Sequence, residues 1–130
     1  MGFRNLKKKN NIDLSYERHQ IKKYASFGLI DFSPHARKRL KERNISAIDI
    51  FQSICMHNAS IVQFKEEGSY KNKYPRFVIC SKYNKRILHI VLEKRTINST
   101  THYQVITAYE PSSKYFSHAG RVVKKARYRH

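Results

Sequence analysis

The stretch SPHARKRLKERNIS at residues 33–46 carries the start signals of two consecutive helices. A serine side chain can accept hydrogen bonds from the free amides that begin a helix, and proline suits the first helical position because the N–H group that it lacks has no partner there. Ser33–Pro34 therefore predicts a helix that runs to about Arg43, with Asn44 as a left-handed stop. Ser46 predicts the cap of a second helix.

The second helix is predicted to be amphipathic. Asp49 stands three residues after the capping serine, which is the spacing of a capping box. Apolar residues then recur at helical spacing and predict the face that the helix buries. The members of this stripe are Ala47, Ile50, Phe51, Ile54 and Cys55.

Beyond residue 60 the hydrophobic pattern changes from the helical period to alternation, which is typical of strands. Turn-rich pieces separate four such segments, which are Ile61–Lys65, Arg76–Cys80, Arg86–Lys94 and His102–Glu110. The last two are joined by a short polar loop and predict an antiparallel hairpin. The order of the elements predicts an α+β domain in which two N-terminal helices pack on a four-stranded antiparallel sheet.

The flanks of this domain differ from it in composition. Residues 1–32 are predicted to be a basic N-terminal extension, with a short helix at residues 13–25 and a linker that packs between that helix and the domain. The domain itself is expected over residues 33–116, and residues 117–130 are predicted to be a basic C-terminal tail. The segment from Lys114 onward holds six Lys or Arg residues and no acidic residue.

The chain is strongly basic. Its 130 residues include 27 Lys and Arg against 9 Asp and Glu, which gives a net charge of +18 at pH 7. Such an excess destabilises a compact chain by self-repulsion, unless the surface meets phosphates whose neutralisation releases counterions. We therefore expect a polyanionic partner, with RNA before DNA as the best candidate.

Other features bear on the cellular setting. The apolar runs are short, so none predicts a membrane span, and residues 1–10 lack the apolar stretch of a secretory signal. Cys55 and Cys80 are too few for a disulfide framework and stand among apolar neighbours, so two buried free thiols are expected. We expect a cytoplasmic protein without membrane attachment.

Three cationic side chains recur four residues apart on the first predicted helix. His35, Arg39 and Arg43 form one stripe beside the apolar pair Ala36 and Leu40. Such a stripe borders the buried face and suits a phosphate clamp, because arginine offers a bidentate fork and histidine exchanges a proton near neutral pH. A solvated basic helix face explains the same spacing equally well.

The two long strands predict a second group of polar residues. The side chains that should meet the helices by alternation are Leu88, Ile90, Leu92, Ile106 and Ala108. The opposite face then carries a polar and aromatic patch of His89, Thr107 and Tyr109, together with Val105. A histidine in so apolar a strand can equally be a satisfied, semi-buried residue.

Several kinds of chemistry lack their usual motifs. Seven histidines are present, but no His-x3-His, Cys-x2-Cys or carboxylate cluster predicts a metal site. No Gly-x-Ser-x-Gly sequence supports a serine nucleophile, and the four glycines form no nucleotide-binding loop. We therefore expect any chemistry to be done by His, Arg, Lys and Tyr, without a metal or a cofactor.

Three segments together resemble a widespread bacterial family of unknown function. They are HARKRLKERNIS at residues 35–46, LHIVLE at residues 88–93 and VITAYEP at residues 105–111. That family is usually placed near the RelE- and BrnT-type toxins, in the broader group that includes barnase and colicin D. The resemblance covers about residues 33–116 and implies a small RelE-like fold, with helices on one face of an antiparallel sheet.

The resemblance also implies a toxin-like endoribonuclease that needs no metal. Such toxins cut RNA by attack of the ribose 2′-hydroxyl on the adjacent phosphate. Carried onto this chain, His35 or His89 would be the base or the acid, and Arg39 and Arg43 would hold the phosphate charge. Tyr109 would stack on a base or donate a proton.

Further substrate contacts and partners follow from the same resemblance. The residues predicted to bind substrate are Thr107, Glu110, Lys94 and Arg86. The expected partners are RNA, such as ribosomal or transfer RNA, and an acidic antitoxin or immunity protein. Members of this fold vary their catalytic residues, so two alternatives stay open: a non-catalytic basic protein that binds RNA or DNA, and a module that binds an acidic protein.

Overall fold

The computed structural model describes residues 13–65 and 74–112, together with two short strands after them. Within these ranges the helices are α1 (Leu14–Ser26), α2 (Pro34–Glu42) and α3 (Ala47–Cys55). The strands are β1 (Ile30–Phe32), β2 (Ser60–Lys65), β3 (Arg76–Tyr83), β4 (Arg86–Ile97), β5 (Thr100–Tyr109), β6 (Phe116–Ser117) and β7 (Val122–Val123). None of the helices in the described ranges has the length and apolar character needed to cross a membrane.

The main sheet has five strands in the order β1-β5-β4-β3-β2. Strands β2 to β5 form the antiparallel meander that alternation predicts, and β1 is added at the edge, parallel to β5. The expectation of two helices on a four-stranded antiparallel sheet is therefore corrected to three helices on a five-stranded mixed sheet. The sequence does not reveal β1, because three residues are too few to display alternation and their partners, residues 103–105, lie far along the chain.

The two flanks of the domain are only partly described. The extension expected over residues 1–32 contributes α1, as predicted, and the segment expected to be a linker contains β1. In the region of the predicted basic tail, β6 pairs with β7 in an antiparallel ribbon. The predictions for residues 1–12 and for the remainder of the tail lie outside the described residues.

The predicted helix signals are confirmed in detail. The Ser33 hydroxyl accepts a hydrogen bond from the amide of Ala36 at 3.0 Å and caps α2. Ser46 and Asp49 form the reciprocal capping box of α3, with both distances at 3.0 Å. Asn44 has a φ of 57° and ends the first of the two helices in the left-handed conformation.

A single hydrophobic core lies between the helices and one face of the sheet. Residues that are at most 4% exposed come from every layer of it, including Ile21, Leu40, Ile50, Ile54, Phe77, Ile79, Leu88, Ile90 and Leu92. The predicted core positions of β4 are thus confirmed. Because Ile21 belongs to α1, the core extends beyond the segment in which the helix and strand signals are strongest.

Two residues of the predicted buried face of α3, Ala47 and Cys55, lie at the surface. Ala47 is the first residue of the helix and is exposed. Cys80 is buried, as predicted, but Cys55 is exposed. Cys55 directly follows the fully buried Ile54 on α3, so it lies about 100° around the helix axis and leaves the buried face. The expectation of two buried thiols is therefore wrong for the first of them.

A β-bulge changes which residues of β5 face the core. Ile90 pairs with Ala108 and Leu92 pairs with Val105, which leaves Ile106 as an inserted residue. Val105 is fully buried, whereas Ile106 is only partly buried. The expectation that Ile106 faces the core and Val105 the opposite side is wrong, because simple alternation does not allow for an inserted residue.

A partly buried ion pair holds α1 against the sheet. The ammonium group of Lys94 lies 3.0 Å from both carboxylate oxygens of Glu17, and the Tyr103 hydroxyl donates to the same carboxylate at 3.4 Å. Burial, and then the charge of Glu17, raise the pKa of Tyr103 well above its ordinary value. Lys94 therefore lies on the side of the sheet that faces the helices, where its charge neutralises Glu17.

Two further cations fasten α1 to the end of α3. Arg18 donates from Nε to the Ala59 carbonyl at 2.6 Å and from Nη2 to the His57 carbonyl at 2.8 Å, and Lys22 donates to the Met56 carbonyl. Carbonyl groups at and just beyond a helix C-terminus lack partners within the helix and attract cations. Burial lowers the pKa of Lys22, and the neighbouring charge of Arg18 adds to that effect.

We predict that Lys94→Ala lowers the free energy of unfolding by about 2–4 kcal/mol, because it leaves the buried Glu17 carboxylate without its counter-charge. The matched control is Lys38→Ala on the exposed side of α2, which should change stability by less than about 0.5 kcal/mol. Urea unfolding followed by circular dichroism measures both. Equal stability of the two variants would contradict a structural role for Lys94.

Candidate nucleic-acid interface

The sheet has a second face, which turns away from the hydrophobic core, and we call it the open face. The register places these side chains on it: Gln63 and Lys65 of β2, Arg76, Val78 and Cys80 of β3, His89, Val91 and Glu93 of β4, and Thr107 and Tyr109 of β5. His89 lies opposite Tyr109, and Val91 lies opposite Thr107. The structure thus brings together the three residues of the expected polar and aromatic patch.

A cavity of about 300 Å³ opens on this face. The described residues that line it are Gln63, Phe64, Lys65, Arg76, Val78, Val91 and Tyr109. Cations stand at one end, where Lys65 pairs across the strands with Arg76, and the next cross-strand row places Gln63 opposite Val78. The cavity therefore combines positive charge, an amide, an apolar floor and a phenol ring.

The cationic end of the cavity is organised around a buried carboxylate. The Glu93 side chain is 5% exposed and accepts from Nε of Arg76 at 3.0 Å and from Nε of Arg95 at 2.8 Å. The guanidinium of Arg95 also lies over the ring of Tyr74, 5.2 Å from its centroid. One carboxylate thus holds two arginines in place, and the group keeps a net positive charge.

The other end of the cavity is formed by a tyrosine beside a histidine. The ring centroids of His89 and Tyr109 are 5.6 Å apart. His89 is fully buried and Tyr109 is half-buried, so Tyr109 is the member of the pair that a ligand can reach. Burial raises the pKa of Tyr109, and the nearby charge of Arg43 partly offsets that increase.

Arg43 reaches this end of the sheet because β1 is short. The pairing of β1 with β5 stops at Val105, and none of the described strands pairs with β5 beyond that point on the same edge. Nη1 of Arg43 donates there to the Thr107 hydroxyl at 3.0 Å and to the Ala108 carbonyl at 2.8 Å. Arg43 thus completes the hydrogen bonding of a strand edge and brings positive charge close to Tyr109.

Arg86 and Glu110 lie at the same end and connect the sheet to α2. Nε of Arg86 donates to Glu110 at 2.9 Å, and its terminal nitrogens approach the carbonyls of Asn44 at 3.2 Å and Arg43 at 3.5 Å. These carbonyls belong to the C-terminus of α2, where a cation is favourable. Both predicted substrate contacts therefore already have partners within the protein.

The predicted stripe on α2 is divided by the structure. Only Arg43 reaches the sheet, whereas Arg39 is exposed and pairs with Glu42 on its own helix at 3.0 Å. His35 is also exposed, one residue after the start of α2. The structure therefore gathers Arg43, Thr107, Tyr109, His89, Arg86 and Glu110 at one end of the sheet, and it leaves His35, Arg39 and Lys94 outside that group.

Residues of the cavity that sequence reasoning missed come mainly from β2 and β3. Gln63, Lys65 and Arg76 carry no motif, and the bulge in β2 between Ile61 and Gln63 hides which side chains share a face. The charged ends of the two strands, Lys65 and Arg76, are the one signal that could have suggested a cationic site. In the described part of the chain, no group of three or more His, Cys, Asp or Glu residues is placed to hold a metal.

These features define a small α+β protein with its helices on one side of a mixed sheet and a basic, tyrosine-lined cavity on the other. The chain belongs to the family described as domain of unknown function DUF4258, whose model matches residues 32–110. No curated protein and no solved structure matches the chain. The matched range begins at the end of β1 and stops just after β5, so α1 lies before it.

We predict that Arg43→Ala and Arg39→Ala differ sharply in stability. Loss of Arg43 removes two charge-assisted hydrogen bonds and should lower the free energy of unfolding by about 1–3 kcal/mol. Loss of the exposed Arg39 pair should cost less than about 0.5 kcal/mol. Thermal and urea unfolding of both variants test this difference. A larger loss of stability for Arg39→Ala would contradict the finding that Arg43 contacts the sheet and Arg39 does not.

Proposed function

We propose that the protein binds RNA on the open face of its sheet. The observation that carries this proposal is the cavity in which Lys65 and Arg76 stand at one end and Tyr109 at the other, in a chain of net charge +18. Cations attract the phosphate backbone, and an aromatic ring offers a surface on which a base can stack.

The local charge supports a phosphate ligand at the cationic end of the cavity. Among the described residues at this end, Lys65, Arg76 and Arg95 outnumber the buried carboxylate of Glu93, which fixes the two arginines without neutralising the group. Guanidinium groups held in a fixed orientation suit the planar recognition of phosphate oxygens. A RelE-like toxin fold, which residues 33–116 resemble, agrees with this proposal because toxins of that type act on RNA.

We predict RNA binding with a steep salt dependence, in which the logarithm of the association constant falls linearly with the logarithm of salt concentration. Lys65→Ala should reduce the slope by about 0.7, the value for one phosphate contact on a single strand. Fluorescence anisotropy at several potassium chloride concentrations measures the slope.

Lys38→Ala is the matched control, because it removes the same charge from an exposed position on α2, away from the cavity. Its slope should equal that of the unaltered protein. Absence of RNA binding at low salt, or the same slope for Lys65→Ala and Lys38→Ala, would count against the open face as the binding surface.

RNA cleavage is the second candidate function, favoured by the juxtaposition of His89, Tyr109 and Arg43 at one end of the cavity. In this reaction the 2′-oxygen bonds to phosphorus while the bond to the 5′-oxygen breaks. A base takes the proton of the 2′-hydroxyl, and an acid gives one to the leaving oxygen. Such a nuclease would require an acidic antitoxin or immunity protein that covers the same face.

The pKa of Tyr109 bears on its role in this candidate reaction. A phenol with its ordinary pKa is already protonated at neutral pH, and burial raises the pKa of Tyr109 further, so the hydroxyl can donate a proton to the leaving oxygen but is a weak acid. His89 is fully buried, so it would act as the base only if its ring became accessible to the RNA, and Arg43 would stabilise the charge that develops on the phosphate. This assignment needs no metal, so cleavage should persist in EDTA.

We predict that Tyr109→Phe lowers the cleavage rate about 100-fold or more, because it removes the acidic proton and keeps the ring. Tyr16→Phe on α1 removes the same hydroxyl from an exposed site and should not change the rate. End-labelled RNA incubated with each variant in EDTA reports the rates. Lack of cleavage, or equal rates for Tyr109→Phe and Tyr16→Phe, would exclude RNA cleavage at this site. Loss of activity in His35→Ala but not in His89→Gln would assign the base to His35.

A further inference from the structure

We propose that the cavity on the open face accepts one unpaired base, so that the protein selects single-stranded over double-stranded RNA. This inference rests on the proposed RNA binding and adds the structural class of RNA. It follows from the shape and chemistry of the cavity, and it does not depend on cleavage.

The size and walls of the cavity fit a flat heteroaromatic group. The cavity of about 300 Å³ has Val78, Val91 and Tyr109 among its lining residues. The two valines are half-buried on neighbouring strands and lie directly opposite each other, so they form a continuous apolar floor. A base that enters would cover this floor and lie near the phenol ring, an environment that every base accepts because every base has an apolar face.

Polar groups of the cavity match the remaining parts of a nucleotide. Gln63 lies in the same cross-strand row as Val78 and carries both a donor and an acceptor for the edge of a base. Lys65 and Arg76 lie one row further along the strands, about 7 Å away, which is the scale of a single nucleotide. A base on the floor therefore places its own phosphate next to these cations.

A paired base cannot use this site. In a duplex each base is stacked and hydrogen-bonded, so it must leave the helix before it can enter a cavity. Single-stranded regions present their bases without that cost. The cavity thus favours loops, bulges and ends of RNA, whereas cations spread over the surface favour any phosphate backbone.

The test compares a 12-nucleotide single strand with the same sequence in a blunt duplex. Both carry 2′-O-methyl riboses, which lack the attacking hydroxyl, so binding is measured without cleavage. One 2-aminopurine base in the strand reports insertion by its fluorescence. We expect the single strand to bind at least 10-fold tighter than the duplex, with a change in 2-aminopurine fluorescence.

Val78→Phe fills the cavity without changing the net charge. It should reduce the preference for the single strand over the duplex to less than 3-fold, while the affinity for the duplex stays constant. Ile97→Phe is the control, because it adds the same ring at an exposed position near the tip of the β4–β5 hairpin. Circular dichroism establishes that each variant is folded. Tyr109→Leu, which removes the aromatic wall, is a second variant that should weaken only single-strand binding.

The outcomes separate this inference from the proposed function. Equal affinity for the single strand and the duplex, or an undiminished preference in both Val78→Phe and Tyr109→Leu, overturns the base site and leaves RNA binding intact. Absence of binding to either RNA overturns both proposals. Loss of preference in Ile97→Phe as well would show that the cavity is not the cause, and it would also overturn the inference.

Discussion

The backbone of β5 needs hydrogen-bond partners along both edges, and this requirement sets the position of most other elements. Along one edge it pairs with β4. Along the other, β1 pairs only as far as Val105, and the guanidinium of Arg43 then serves the carbonyl of Ala108. Because β1 leads directly into α2, and Arg43 ends that helix, a single strand edge fixes both ends of α2. The turn into α3 and the tyrosine end of the cavity follow from that placement.

Some of the cationic side chains bind other groups of the protein, and others remain exposed to solvent. Lys94 neutralises the buried Glu17, Arg86 joins Glu110 to the end of α2, and Arg18 serves carbonyl groups beyond α3. These cations stabilise contacts within the protein, so fewer of them are available to the proposed RNA ligand than the count of Lys and Arg suggests. The exposed Lys65, which lines the cavity, is correspondingly more important to the proposed recognition of RNA.

Features that depend on neighbouring residues were predicted correctly, whereas features that depend on tertiary pairing were not. The caps at Ser33 and Ser46 and the alternation of β4 depend on neighbours a few residues away, so the sequence displays them directly. Strand β1 depends on pairing with a segment far along the chain, and the bulge at Ile106 depends on the register within the β4–β5 hairpin, so no local pattern encodes either of them. For the same reason the patch around Tyr109 was foreseeable from one hairpin, whereas the role of Arg76 required the register of three strands.

The contacts of Glu17 on α1 with Lys94 and Tyr103 affect the order in which the protein folds during synthesis. Glu17 lies 77 residues before Lys94 and 86 residues before Tyr103, its two partners in the sheet. Contacts between such distant residues form slowly, and a growing chain cannot make them until both strands have left the ribosome. α1 is therefore the first of the described helices to be synthesised, yet the ion pair that joins it to the sheet cannot form until β4 has emerged, and its contact with Tyr103 waits for β5. Until then the nascent protein depends on its more local contacts for order.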